Sequence, residues 1–93
     1  MPILTRFQIR CREALDELLE HRHLQLRSSD VVGNGECYVH ASVDGKDVEV
    51  WIYEDEAEYR SRGERRNFEA AVFRDESDRI ASFIKDLQRE LDR

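Results

Sequence analysis

Apolar and polar residues alternate on both sides of the dipeptide Asp44-Gly45. Alternation with a period of two is typical of a half-buried β-strand. Asp-Gly favours a two-residue type I′ turn, which pairs Val39 with Val50 and fixes the register. The pattern therefore predicts a β-hairpin over residues 36–53. Its apolar face is expected to carry Cys37, Val39, Ala41, Val43, Val48, Val50 and Ile52.

Apolar residues with helical spacing predict one helix before the hairpin and one at the end of the chain. The first is predicted over residues 5–23, and Thr5 with Gln8 three positions later fits a capping box. Asp75 or Ser77 is expected to cap the second helix. The stripes, spaced three and four residues apart, are Leu4, Phe7, Cys11, Leu15 and Leu18 in the first helix and Ile80, Phe83, Ile84, Leu87 and Leu91 in the second.

The segment between the first helix and the hairpin is predicted to be a loop over residues 24–35. An extra strand is the alternative, because Leu24 and Leu26 alternate with polar residues. Asn34-Gly35 is a second turn signal, and it would let residues 30–33 pair back on the start of the hairpin.

The segment after the hairpin allows two interpretations. Glu56 and Glu58 each stand four residues before an arginine, which favours a helix. In the preferred interpretation the second strand continues and turns near Arg62-Gly63. Residues 66–73 then form a third strand, with Phe68, Ala70 and Val72 on one face.

Together these elements predict a single α+β domain over residues 1–93, in the order α-β-β-β-α. Two helices with one apolar stripe each can cover one face of a three-stranded antiparallel sheet. Double-stranded-RNA-binding domains share this order, but their last helix begins with lysines. Here that helix begins with Asp75-Glu76-Ser77-Asp78, so the shared order implies no membership of that family.

Charge is concentrated in one part of the chain. The net charge is −6, while residues 31–59 alone hold one lysine and eight acids. Nucleic-acid binders usually present a basic face, so we expect the hairpin to bind a basic protein surface or a second copy, and no nucleic acid. The chain has no apolar run long enough to span a membrane and does not begin with a signal peptide. We therefore expect a cytoplasmic protein.

The polar face of the hairpin carries aromatic residues that the helices are not expected to cover. Aromatic side chains are enriched at protein interfaces, although cross-strand aromatic pairs also stabilise sheets. We expect a small, non-enzymatic interaction module, such as an inhibitor, an immunity or antitoxin-like protein, or a self-associating protein. Its predicted partner-binding residues are Tyr38, His40, Asp47, Glu49, Trp51, Tyr53, Glu54 and Asp55.

Other chemistry is less well supported by the sequence. The alternative function is a small-ligand binder or an enzyme that uses His40 and Glu49, which would act as a general base and its orienting carboxylate. An exposed ion pair is the simpler interpretation of these two residues. The arginines at 60, 62, 65 and 66 suggest a nucleic-acid contact, but acids surround them. The possible metal ligands Cys11, His21, His23, Cys37 and His40 have no suitable spacing. We predict no catalytic residue, no metal, no cofactor and two reduced, buried cysteines.

Overall fold

A computed structural model describes residues 4–22, 37–43 and 45–93 with their side chains, and residues 24–31 by their backbone. These described residues form two helices and five strands. In chain order these are α1 (Arg6–Glu20), β1 (Leu24–Val31), β2 (Cys37–Val43), β3 (Lys46–Ile52), β4 (Ala57–Ser61), β5 (Glu64–Phe68) and α2 (Glu76–Leu91).

The strands form one antiparallel sheet in the order β1-β2-β3-β4-β5. The predicted α+β class with an antiparallel sheet is confirmed. The predicted three strands and the α-β-β-β-α order are wrong, because two further strands are present. Each strand pairs with the next in sequence, so every connection joins neighbours in the sheet.

The β2–β3 hairpin has the predicted register. Val39 pairs with Val50, and Tyr38 pairs with Trp51. Gly45 has a φ of 82°, as a type I′ turn requires. All seven predicted apolar-face residues are buried, so turn chemistry and alternation together fix this register.

The predicted loop over residues 24–35 is wrong for residues 24–31, which form β1. This strand pairs with β2, from Leu24 opposite Val43 to Val31 opposite Cys37. The register shifts between Leu26 and Ser28. This irregularity adds a residue and breaks the period of two. The predicted turn at Asn34-Gly35 lies outside the described residues.

The chain reverses after β3 instead of continuing the strand. The Tyr53 amide donates a hydrogen bond to the Glu56 carbonyl, with an N···O distance of 2.8 Å, and β4 then returns beside β3. The predicted turn at Arg62-Gly63 is confirmed, and both residues have positive φ, at 54° and 80°. We call residues 53–56 the acidic turn.

The predicted third strand over residues 66–73 is wrong in its extent. Strand β5 ends at Phe68, and the Val72 and Phe73 amides both donate to the Glu69 carbonyl. This bonding forms a helical turn, and it leaves Val72 68% exposed. Phe68 is the one residue of the predicted apolar face that is buried.

The two helices run parallel to each other. Near their N-terminal ends, Arg10 contacts Glu76 at 2.5 Å, and near their C-terminal ends Arg22 contacts Asp92 at 2.7 Å. The pair with Glu76 offsets the unfavourable position of Arg10 near the positive end of the α1 dipole. The predicted capping box at Thr5 is confirmed, and α1 ends at Glu20, earlier than predicted.

Both helices pack on the same face of the sheet, as predicted, and the core lies between the two layers. The predicted cap of α2 is Asp75, whose side chain accepts hydrogen bonds from the Ser77 and Asp78 amides. Neither helix in the described part of the chain combines the length and apolar composition that crossing a bilayer requires. No helix of the described residues packs on the opposite side of the sheet, which we call the outer face.

Candidate functional site

The outer face brings together side chains from four strands. Strand periodicity places alternate residues there, and each of them is half-buried or exposed. Five of the eight predicted partner-binding residues lie on this face in β2 and β3, and the other three, Tyr53, Glu54 and Asp55, lie in the acidic turn. In β2–β5 the outer-face residues are Tyr38, His40, Ser42, Asp47, Glu49, Trp51, Glu58, Arg60, Arg65 and Asn67.

An aromatic pair occupies the middle of this face. The rings of Tyr38 and Trp51 lie directly across the β2–β3 ladder, with centroids 5.5 Å apart and planes tilted by 48°. The Arg65 guanidinium lies 5.7 Å from the Trp51 ring centroid, which is cation–π distance. Both rings remain partly accessible. Trp51 therefore lies outside the core, as predicted, but two neighbours partly cover it.

The carboxylate of Glu49 is engaged by Tyr38. The Tyr38 hydroxyl donates to it at 2.8 Å. Burial, followed by this bond and the negative charge, raises the pKa of Tyr38 above its ordinary value. The bond also fixes the orientation of the aromatic ring, since the hydroxyl and the ring move together.

His40 stands opposite Glu49 in the ladder, as predicted. Its ion-pair contact, however, is with Asp47, where Nε2 lies 3.8 Å from the carboxylate oxygen. The expected His40–Glu49 ion pair is therefore replaced by two separate contacts. Glu49 accepts a hydrogen bond from Tyr38, and the carboxylate near the imidazole is that of Asp47.

The acidic turn is held in place by both helices. The Thr5 hydroxyl donates to the Glu54 carbonyl at 2.7 Å, and Arg79 donates to the Asp55 carbonyl at 2.5 Å. The side chains of Glu54 and Asp55 are exposed. These contacts fix the backbone of the turn and leave the carboxylates of Glu54 and Asp55 at the surface.

Arg79 is a residue that the sequence pattern did not indicate. It is 6% exposed, although it is charged. Besides Asp55, it donates to the carbonyls of Phe73 and Arg74. Charged side chains are rarely so buried unless they are paired, and three carbonyls from two separate segments provide the partners here.

The predicted arginine cluster is divided between the two sides of the sheet. Arg60 pairs in register with Arg65 on the outer face, and Arg62 lies in the turn between them. We call these three residues the arginine corner. Arg66 pairs with Tyr59, an inner-face residue, and so belongs to the other side at the sheet edge. Three of the four arginines therefore lie at this corner of the sheet.

The described residues contain no group of three His, Cys, Asp or Glu side chains arranged to hold a metal ion. Cys11 and Cys37 are free thiols and are buried. Burial raises the pKa of both thiols, to about 12 for Cys11, and Arg12 partly opposes the rise for Cys37. Such thiols are inert. His21 lies just after α1, and His23 is outside the described residues.

An open groove of about 650 Å³ lies in the helical layer, on the side of the protein away from the outer face. None of the predicted site residues lines it. The groove is lined by Ala14, Glu17, Leu18, His21, Arg22, Ile84 and Gln88.

Comparison of the chain with protein-family models, with curated proteins and with solved structures found no match. The architecture alone defines its class. It is a small α+β domain with two parallel helices on one face of a five-stranded antiparallel sheet.

Proposed function

We propose that this protein is a non-enzymatic interaction module whose outer face binds a basic surface on a protein partner. The observation that carries this proposal is the aromatic pair of Tyr38 and Trp51, which is partly accessible and has carboxylates around it. Asp47 and Glu49 lie on the same face, and Glu54 and Asp55 project from the acidic turn.

The two kinds of side chain have different roles in this proposal. Trp51 and Tyr38 supply most of the affinity, because rigid aromatic anchors dominate binding energy at protein interfaces. The carboxylates attract a basic partner and set its orientation, and so act mainly on the association rate and specificity. An inhibitor, immunity or antitoxin-like protein that covers a basic site in the cytoplasm fits this division of roles.

The experiment that tests the proposal measures binding of a labelled, short arginine-rich peptide by fluorescence anisotropy at physiological ionic strength. Trp51→Ser removes the central anchor. Val72→Ser is the matched control, because Val72 is an exposed apolar side chain outside the outer face. We expect Trp51→Ser to weaken binding by at least about tenfold, as loss of a hot-spot residue does, and Val72→Ser to leave it unchanged.

Thermal unfolding of each variant separates binding from folding. We expect Trp51→Ser to remain folded, because Trp51 lies outside the core. Equal peptide affinities for wild type and Trp51→Ser would contradict the proposal, because the acidic charge alone would then account for binding. Unfolding of Trp51→Ser would also contradict it, since the ring would then be structural.

A further inference from the structure

The two ends of strand β4 carry opposite charge. At its start lie the acidic turn, with Glu54 and Asp55, and the carboxylate of Glu58. At its other end lies the arginine corner. The aromatic pair lies between the two ends on the neighbouring strands. The outer face is therefore bordered by an acidic region at one end of β4 and a basic region at the other.

We propose, as a step that rests on the proposed function, that the basic partner surface is the arginine corner of a second copy of this chain. The protein would then be a homodimer in which two outer faces meet. Dimers of this kind have a two-fold axis, and the same residues form both halves of the contact.

The two-fold axis that brings opposite charges together lies between the outer faces of the two copies. It runs perpendicular to the strands. Rotation about it places β4 of one copy over β4 of the other, in the reverse direction. Arg60 and Arg62 of each copy then face the acidic turn of its partner. The rotation repeats this contact at both ends of the interface, and the aromatic pairs lie between the two contacts.

The side chains that this arrangement brings together lack intramolecular ion pairs. Within the described part of the chain, Arg60, Arg62, Glu54 and Asp55 are exposed and form no salt bridge. Arg65, in contrast, already lies 3.9 Å from Glu58 and covers Trp51. At the two ends of β4, the exposed charges without a salt bridge are thus one acidic pair and one arginine pair, and Glu49 of β3 lies in register with Arg60.

The size of the face sets the expected strength of the dimer. Five strands about 4.8 Å apart and about 20 Å long present roughly 500 Å² for each copy, or roughly 1,000 Å² in total. That area is at the lower limit for a specific interface. We therefore expect a weak dimer that dissociates on dilution and whose formation decreases at high salt.

Two charge-reversed variants test the arrangement by sedimentation velocity. Glu54→Arg with Asp55→Arg makes both ends of the face basic, and Arg60→Glu with Arg62→Glu makes both ends acidic. We expect each variant alone to have a dimer dissociation constant at least about tenfold higher than wild type. An equimolar mixture is expected to dimerise again, because the two variants restore every charge contact.

The control is Lys85→Glu with Arg89→Glu, which reverses two exposed charges on α2, away from the outer face. We expect wild-type association for this control. Recovery in the mixture also shows that both charge-reversed variants are folded.

A wild-type protein that stays monomeric at high concentration would overturn this inference. So would a dimer that is insensitive to the charge reversals, or a mixture that fails to associate. If the monomer still binds the arginine-rich peptide through Trp51, the proposed function stands and only the homodimer is wrong. If it neither dimerises nor binds the peptide, both proposals are wrong.

Discussion

The guanidinium of Arg79 in α2 lies over the ring of Phe7 in α1, 5.1 Å from the ring centroid. The same group donates hydrogen bonds to the Asp55, Phe73 and Arg74 carbonyls. One side chain thus connects both helices, the acidic turn and the segment before α2. The position of the acidic turn depends on this contact, because Arg79 fixes the backbone from which Asp55 projects.

Replacing Arg79 by lysine is expected to lower the free energy of unfolding by about 3 kcal/mol. A lysine ammonium lacks the planar fork that reaches separate acceptors, and buried carbonyls that lose a charged donor each cost roughly 1–3 kcal/mol. Urea unfolding measures the change. Arg74→Lys is the control, because the Arg74 side chain is exposed. Equal midpoints for the two variants would show that Arg79 contributes little to the fold.

Lys46 lies at the C-terminal end of α2, where its ammonium donates to the Leu91 carbonyl at 2.5 Å and to the Arg93 carbonyl. A cation at this end satisfies free carbonyls and interacts favourably with the helix dipole. We expect Lys46→Met to destabilise the protein by about 1 kcal/mol. Chemical denaturation at low and high salt measures the effect, which should decrease with salt in so far as it is electrostatic.

The chain supplies its own control for Lys46. Lys85 is the other lysine, and it is exposed in the middle of α2. We expect Lys85→Met to change stability by less than about 0.5 kcal/mol. A loss as large as that of Lys46→Met would indicate a general charge effect and would argue against helix capping.

The buried thiol of Cys11 makes the free energy of unfolding depend on pH in the alkaline range. Its pKa rises from 9.0 to about 12 on folding, chiefly through burial and further through Cys37. The folded state therefore holds this proton more tightly than the unfolded state. The contribution to stability is complete below pH 9 and is lost as the pH rises toward 12, with a slope of up to about 1.4 kcal/mol per pH unit.

Cys11→Ala is expected to flatten this dependence, although it also lowers stability at neutral pH because it leaves a small cavity. Denaturant titrations at several pH values between 8 and 11 compare the two slopes. Identical slopes for wild type and variant would exclude Cys11 as the titrating group. Tyr59 adds to the wild-type slope in the same direction, since burial and its bond to Asp86 raise its pKa.

The hairpin was predictable because turn chemistry and alternation agree at every position from Cys37 to Ile52. Strand β1 was not favoured, because the register shift between Leu26 and Ser28 breaks the alternation. The sequence pattern of strand β4 indicates a strand only weakly, for a different reason. Its buried side includes Ala57 and Ser61, which are small or polar, and no glycine or proline marks the acidic turn.

The sequence predicted which residues share the outer face, but it did not predict which of their side chains contact one another. Alternation alone places Trp51 and Glu49 on the outer face. Which carboxylate meets His40 depends on side-chain reach along the sheet, and the observed contact is with Asp47. The sequence did not indicate the burial of Arg79, because its position resembles those of the charged residues expected on a helix surface. One of its acceptors, the Asp55 carbonyl, lies 24 residues earlier in the chain, and residue spacing does not reveal such a contact.

Ser61 carries a buried hydroxyl with no hydrogen-bond partner among the described residues. It is 1% exposed and lies on the inner side of β4. We expect Ser61→Ala to raise the free energy of unfolding by about 1 kcal/mol, because it removes an unsatisfied polar group and leaves the methylene packing in place. Ser42→Ala is the control, because it makes the same change of residue type at a half-buried strand position on the outer face of β2. It should change the free energy of unfolding by less than about 0.5 kcal/mol. Urea unfolding of both variants measures the difference. If Ser61→Ala is the less stable of the two, the hydroxyl has a partner and contributes to the core.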